Sequence, residues 1–132
     1  MITWNNLDTL EAFKNLSKAE RVNIAEAMSG ENGAERVKTY STPMAEGLAY
    51  NYAAKQVDDK LLEDLQKLAD EAQLTEKFEA LYNGEVINTG EKRMVLHHLT
   101  RGQLGEAVNA DGTDKRAFYK EQQQKIADFA NK

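Results

Sequence analysis

The sequence predicts a mainly α-helical protein with one small β-hairpin, that is, an α+β fold in which helices dominate. The 132-residue chain is rich in alanine, leucine, glutamate and lysine, and it has eight glycines but only one proline, a composition typical of helical proteins. Apolar residues recur every three or four positions over residues 57–81, which indicates amphipathic helices. Residues 35–52 lack this period and alternate instead, which favours two paired strands.

The first thirty residues predict two helices. Residues 2–16 carry apolar side chains three positions apart, in one slowly winding helical stripe: Trp4, Leu7, Leu10 and Phe13. Residues 17–20 read Ser-Lys-Ala-Glu. This fits a capping box, in which the serine hydroxyl meets the amide three residues on and the glutamate reaches back. A second short helix should follow and end at Gly30 or Gly33.

The predicted hairpin lies within residues 35–52. Thr42 precedes Pro43, and a residue before proline is held in extended geometry. Gly47 then offers a turn between the two arms. We therefore expect a small β-hairpin or two extended arms here, with Leu48 at the start of the second arm.

The most regular helical pattern covers residues 57–81. Asp58 can accept a hydrogen bond from the first turn. The apolar face steps by four, three and four residues: Leu61, Leu65, Leu68 and Ala72. A break at residues 73–75 would let Thr75 cap a second helix. The inward side chains of that helix should be Phe78, Leu81 and Tyr82.

Residues 81–101 hold the two histidines of the chain and a predicted helix start. Gly84 is placed to stop the preceding helix, and Glu91 would lie in the first turn of the next one, where a carboxylate suits the helix dipole. On such a helix Arg93, His97 and Arg101 would share a face. They could form a cationic patch for a phosphate or carboxylate. The preferred interpretation is structural, with the arginines pairing with carboxylates such as Glu91 or bracing a neighbouring helix.

The C-terminal part predicts a turn followed by a long helix. Residues 109–112 read Asn-Ala-Asp-Gly, a turn signal. Thr113 or Asp114 can cap a final helix that runs to about Ala130. Its apolar stripe is patchy: Ala117, Phe118, Ile126, Phe129 and Ala130.

Composition limits the possible functions. The net charge is −5 and no basic block occurs, so a nucleic-acid surface is not expected. No apolar run approaches the ~20 residues of a membrane helix, no signal peptide is visible, and the absence of cysteine excludes thiolate chemistry. Adjacent histidines point about 100° apart on a helix and cannot form a two-histidine metal pair. The sequence predicts a single soluble, cytoplasmic domain over residues 1–132, with no cofactor, metal or catalytic residue.

The stretch 84–101 resembles the N-terminal part of the glucose-6-phosphate isomerase family, which carries a run of the type G-E-x-I-N-x-T-E-x-R-x-V-L-H-x-x-x-R. Ten positions match in register: Gly84, Glu85, Ile87, Asn88, Glu91, Arg93, Val95, Leu96, His97 and Arg101. Gly90 replaces the usual threonine, and the segment from Gly102 differs from the family loop. The resemblance covers essentially the whole chain: it is strong from Asp58 to Arg101, fair from Asp111 onward and weak before Glu35.

The resemblance implies an aldose–ketose isomerase that interconverts glucose 6-phosphate and fructose 6-phosphate without a cofactor, in glycolysis and gluconeogenesis. In that family a glutamate moves a proton through an enediol, and the catalytic and phosphate-binding groups lie on α/β domains that follow this segment. None of those motifs is present here, so this chain is expected to be a helical N-terminal fragment. It would pack on the catalytic domains of the same enzyme and be inactive alone. Asn88, Glu91, Arg93, His97 and Arg101 would be structural residues.

Two other functions stay open at this stage. A free-standing helical interaction module would bind a partner protein through an amphipathic groove. A small-molecule binder using Arg93, His97 and Arg101 would need a concave pocket around them. A domain separated from its neighbours also leaves apolar surface bare, so we expect an exposed apolar patch, or self-association through it, with the last helix as the site.

Overall fold

The computed structural model describes residues 1–101 and 106–132. Helices dominate these residues, and the strands form two small antiparallel pairs, which confirms the predicted class. The start of the segment from Gly102, whose sequence departs from the family loop, lies outside the described residues. Two compact units are present, one formed by Trp4–Ala72 and the other by Met1–Thr3 together with Gln73–Lys132. The prediction of a single domain stays a prediction.

The Trp4–Ala72 unit contains four α-helices and one β-hairpin. In chain order its elements are a 3-10 helix Leu7–Thr9, α1 Glu11–Leu16, α2 Ile24–Ala27, α3 Gly30–Thr39, β1 Ser41–Pro43, a 3-10 helix Ala45–Gly47, β2 Ala49–Asn51 and α4 Asp59–Glu71. The strands pair antiparallel with Thr42 opposite Tyr50, which confirms the predicted hairpin. Asp58 caps α4, because its carboxylate accepts a hydrogen bond from the Leu61 amide at 2.7 Å.

The start of α1 is held by a carboxylate from α4. Glu71 accepts hydrogen bonds from the backbone N–H of Ala12 at 2.7 Å and of Glu11 at 3.0 Å, two groups that a helix start leaves without an intrahelical partner. These bonds hold the pKa of Glu71 below its ordinary value. Leu10 and Ala72 are buried in the same unit.

A single arginine ties α3 to the chain that leads into α4. The Nε of Arg36 donates to the carbonyl of Ala53 at 2.7 Å, and its Nη2 donates to the carbonyls of Lys55 and Val57. Its guanidinium also lies 4.1 Å from the ring centroid of Tyr40. Arginine suits this role because its donors sit in a rigid fork. No sequence pattern singled out Arg36.

The prediction for the first twenty-odd residues is partly wrong. A helix was expected over residues 2–16, but α1 begins only at Glu11. The predicted capping box does not form, because Ser17 ends α1 and its hydroxyl donates back to the Lys14 carbonyl at 2.8 Å. Asn23 caps α2 instead. A short polar side chain can serve either end of a helix, and Ser17 serves the preceding one.

The expected end of the second helix is also wrong. Gly30 begins α3 instead of ending α2, and Gly33 lies buried within α3. The helix continues to Thr39, where alternating extended structure was predicted. The β-branched Val37 and Thr39 are compatible with a helix at a modest cost, which the Arg36 bonds offset.

The second unit is built around a short helix, a tight hairpin and a long helix. Its elements are α5 Leu74–Tyr82, a 3-10 helix His97–Thr100, β3 Asn109–Ala110, β4 Thr113–Asp114 and α6 Lys115–Ala130. The break predicted at residues 73–75 is confirmed, since Gln73 takes a left-handed φ of 53° before α5. Thr75 lies inside α5 and does not cap it. Phe78, predicted to face inward, is 62% exposed.

The core of this unit is small and close-packed. Leu99 is fully buried, and Ala80 and Val108 are nearly so. Gly84 ends α5 with a φ of 76°, as predicted, and the Glu85 amide bonds back to the Ala80 carbonyl at 2.9 Å. A Cβ at Gly84 would overlap a methyl group of Val108, so glycine is required here for both backbone and packing reasons.

The turn predicted at residues 109–112 is confirmed. Asp111 and Gly112 both have positive φ, 53° and 70°, and they join the antiparallel pair β3 and β4. Positive φ at both central residues defines a type I′ turn, for which Asp-Gly is a preferred pair. Asp114 then caps α6 by accepting from the Arg116 amide at 3.0 Å, and α6 ends at Ala130 as predicted.

Candidate functional site

The motif residues 88–93 form a compact turn. The backbone groups of Asn88 and Arg93 exchange two hydrogen bonds of 3.1 Å. The side chain of Asn88 also accepts from the Glu91 amide at 3.1 Å and donates to the Glu91 carboxylate at 3.3 Å. Lys92 completes the turn with a φ of 53°. Asparagine favours such turns because its side chain can bond to the backbone two or three residues on.

This turn replaces the helix predicted to start near Glu91, and that prediction is wrong. The Asn88 side chain takes the amide that a helix start would present, and the left-handed Lys92 interrupts helical geometry. Between Lys92 and Arg101 the helical residues are those of the 3-10 turn His97–Thr100. Arg93, His97 and Arg101 therefore do not share a helical face.

Five motif residues were predicted to be structural: Asn88, Glu91, Arg93, His97 and Arg101. Four of their side chains line one pocket. The pocket has a volume of about 320 Å³, and its lining residues come from the turn, the segment after it and α6: Asn88, Glu91, Arg93, Met94, Val95, Leu96, His97 and Tyr119. Arg101 is exposed and does not line it. The less favoured alternative from the sequence, a cationic patch of all three side chains, is thus not assembled.

The charges at this pocket are weakly coupled. The Nη1 of Arg93 lies 3.9 Å from the Glu91 carboxylate, and both side chains are largely exposed. Exposed ion pairs contribute little to stability, typically below about 1 kcal/mol. The pairing of Arg93 with Glu91 was expected and is observed. Within residues 1–101 and 106–132, no group of three potential metal-ligating side chains is found.

His98, which was not singled out as a site residue, is half-buried, whereas His97 is exposed. Its ring stacks on Tyr82 with centroids 4.8 Å apart, and its Nε2 lies 3.0 Å from the Tyr82 carbonyl. Arg116 is also buried; its Nε donates to the Glu106 carbonyl at 2.8 Å, and its guanidinium lies 5.8 Å from the Tyr82 ring. Among residues 1–101 and 106–132, the Nδ1 of His98 and the Nη1 of Arg116 find no hydrogen-bond partner. The sequence carries no periodic signal that would reveal this cluster.

An apolar groove of about 600 Å³ lies in the Trp4–Ala72 unit. The β1–β2 hairpin, the chain after it and α4 line this groove through the residues Thr42, Met44, Tyr50, Tyr52, Lys55, Val57, Leu62 and Leu65. The rings of Tyr50 and Tyr52 stack with centroids 6.0 Å apart. Its polar groups are the hydroxyls of Thr42, Tyr50 and Tyr52 and the Lys55 ammonium, and the rest of the lining is apolar, which suits binding.

Comparison with known proteins identifies the class to which this fold and motif belong. A family model described as phosphoglucose isomerase matches residues 51–132, which include the 88–93 turn and the pocket beside it. The matching proteins are isomerases. The chain belongs to the phosphoglucose isomerase family, and the resemblance drawn from the 84–101 motif is confirmed.

Individual relatives agree with the family match. The chain is 49% identical to the glucose-6-phosphate isomerase of Treponema denticola over 96% of its length. It is 40% identical to the enzymes of the same name from Treponema pallidum and Borreliella afzelii over 98% of its length. The chain spans about a quarter of the length of these relatives, 25%, 25% and 24% respectively. Within the described residues, no helix combines the length and apolar composition needed to cross a bilayer.

Proposed function

We propose that this chain is the N-terminal structural part of an enzyme that interconverts glucose 6-phosphate and fructose 6-phosphate, in glycolysis and gluconeogenesis in the cytoplasm. In this role residues 1–132 act as a helical domain that packs on the catalytic domains of the same polypeptide. The general base and the phosphate ligands are supplied by those domains. The observation that carries the proposal is the 49% identity to an isomerase over 96% of the chain.

We also assign a structural role to the motif side chains. Asn88, Glu91 and Arg93 are joined to one another through the hydrogen bonds and the ion pair of one turn, which fits a bracing role better than a catalytic one. His97 and Arg101 are exposed, and we assign them to contacts with the catalytic domains. The pocket beside the turn supports the competing small-molecule site only in part, because Arg101 does not line it.

A chimera tests the proposal. Residues 1–132 replace the corresponding N-terminal quarter of the Treponema denticola isomerase, and conversion of fructose 6-phosphate is followed through a glucose-6-phosphate dehydrogenase that reduces NADP⁺. We expect turnover by the chimera and none above background by the pure 132-residue chain. A soluble, folded chimera without turnover would contradict the proposed family role. Turnover by the pure chain would contradict the structural role.

The alternative is a free-standing helical interaction module. The observation that favours it is the exposed apolar groove of the Trp4–Ala72 unit, in which Tyr50 is half exposed. The chimera separates the two functions, because a module with no relation to catalysis would not restore turnover to the relative's catalytic domains.

A further inference from the structure

One strip of α6 is apolar and uncovered. At about 100° per residue, Phe118, Gln122, Ile126 and Phe129 fall within about 80° of one another on the helix surface. Phe118 is 43% exposed, Ile126 is 68% exposed and Phe129 is 80% exposed. We call the three apolar residues Phe118, Ile126 and Phe129 the α6 strip; Gln122, which lies between them, is polar and half-buried. Scattered single apolar residues are ordinary on a surface, whereas a strip at helical spacing indicates a face that packs.

The two halves of α6 differ in how far their side chains are packed against the rest of the unit. In the N-terminal half Arg116 is buried and Tyr119 is half-buried. The amide of Gln123 donates to the Thr100 carbonyl at 2.6 Å. From residue 123 to residue 130 every side chain is exposed. Two helical turns without tertiary packing are marginal in water, so packing must come from elsewhere for this half to be stable.

Polar pairs occupy the rest of α6. Gln124 donates to Asp128 at 2.7 Å on the side away from the strip, and Lys125 pairs with Glu121 at 2.7 Å along the edge of the strip beside Phe118. Such i,i+4 pairs belong to solvated helix faces. The strip is therefore the one face of the C-terminal half suited to burial.

The size of the strip indicates what covers it. With roughly 200 Å² for each phenylalanine side chain and a little less for isoleucine, the exposed parts of Phe118, Ile126 and Phe129 come to on the order of 350 Å². A stable complex between separate chains buries about 800 Å² on each partner. The strip alone is thus too small to form a stable interface with a second copy of the chain. A tethered segment needs far less area, because the tether supplies a high effective concentration.

We propose that the α6 strip is the docking face for the polypeptide that family members carry beyond the matched region, which makes up about three quarters of their length. This inference rests on the proposed function. It commits the C-terminal half of α6 to contacts within one polypeptide and not to self-association. In the full-length enzyme Ile126 and Phe129 are buried, and in the isolated chain they are exposed.

Thiol labelling tests the inference, because the chain has no cysteine of its own. Phe129→Cys is introduced into the isolated chain and into the chimera with the Treponema denticola isomerase, and labelling of that position is timed by mass spectrometry of the peptide. We expect labelling at least about tenfold slower in the chimera, since reaction must wait for local opening. Ala127→Cys is the matched control, because it lies about 160° around the helix from Phe129. Its rate should change less than about twofold.

The outcomes separate this inference from the proposed function. An active chimera in which Phe129→Cys reacts as fast as in the isolated chain overturns the docking face and leaves the isomerase role intact. Slow, concentration-dependent labelling of the isolated chain, together with a dimer in sedimentation, would make a second copy the occupant and would also overturn it. A folded but inactive chimera contradicts the proposed function, and equal labelling rates at position 129 in that chimera remove the docking face as well.

Discussion

Replacing Gly84 with alanine should destabilise the unit that contains α5 and α6 through two separate effects. The φ of 76° costs a residue with a Cβ about 1–2 kcal/mol. The added methyl group would also overlap Cγ1 of Val108, a residue that is 3% exposed, and would lie 3.2 Å from its Cγ2. Overpacking of a close-packed site costs about 1–3 kcal/mol. We therefore expect Gly84→Ala to lower the free energy of unfolding by about 2–5 kcal/mol in total.

The matched control is Gly112→Ala. Gly112 has a similar φ of 70°, and an added Cβ meets nothing within 4 Å, so only the backbone cost of about 1–2 kcal/mol applies. Urea unfolding followed by circular dichroism measures both variants. If Gly84→Ala leaves too little folded protein, the double variant with Val108→Ala should recover stability by removing the overlapping methyl group. Equal losses at Gly84 and Gly112, with no recovery in the double variant, would refute the packing argument.

Two further predictions concern the Trp4–Ala72 unit. Arg36→Lys should lower the free energy of unfolding by about 1–3 kcal/mol, because lysine cannot bond all the carbonyls of residues 53–57 that the guanidinium now holds; urea unfolding measures this. Because hydrogen bonds from the amides of Ala12 and Glu11 depress the pKa of Glu71, its carboxylate stabilises the fold above about pH 4.3, and this contribution is lost as the pH falls through the lower pKa of the folded state. Glu71→Gln should therefore reduce the urea midpoint at neutral pH, and the difference from the parent should shrink as the pH falls below 4.

Both predictions have controls within the chain. Arg93 forms an exposed pair with Glu91, so Arg93→Lys should change stability by less than about 0.5 kcal/mol. A loss as large as that of Arg36→Lys would mean that the bonds to residues 53–57 are not the cause. Glu63 is exposed on the same helix as Glu71, and Glu63→Gln should leave the stability at neutral pH within about 0.5 kcal/mol of the parent. A pH curve for Glu71→Gln that runs parallel to that of the parent would contradict the role of the amide bonds.

The features that sequence reasoning predicted correctly depend on local chemistry. Asp58 and Asp114 cap helices because a carboxylate can reach an amide two or three residues on. Gly84 ends a helix and Asp111–Gly112 form a turn because their backbones take positive φ. Each of these signals is contained in a few consecutive residues. Single-sequence patterns can therefore locate them.

The prediction errors arise where two local structures compete for the same residues, or where contacts between residues distant in sequence determine the structure. Asn88 was followed by a plausible helix start, but its side chain bonds to the Glu91 amide and closes a turn. The cluster of Tyr82, His98 and Arg116 joins residues far apart in sequence, and no spacing rule predicts it. The candidate site was thus located by its motif, while its geometry was not.

The carboxylate of Asp114 links two consecutive elements, the β3–β4 hairpin and α6. Its Oδ1 accepts from the amide of Val108 at 3.3 Å and from the amide of Arg116 at 3.0 Å, so it bonds both to the residue before the β3–β4 hairpin and to the first turn of α6. Neither element can fray at this point without releasing a bond that the other uses. We therefore expect the hairpin and the start of α6 to open as one cooperative unit in hydrogen exchange, so that the order of the hairpin depends on that of the helix whose far end carries the α6 strip.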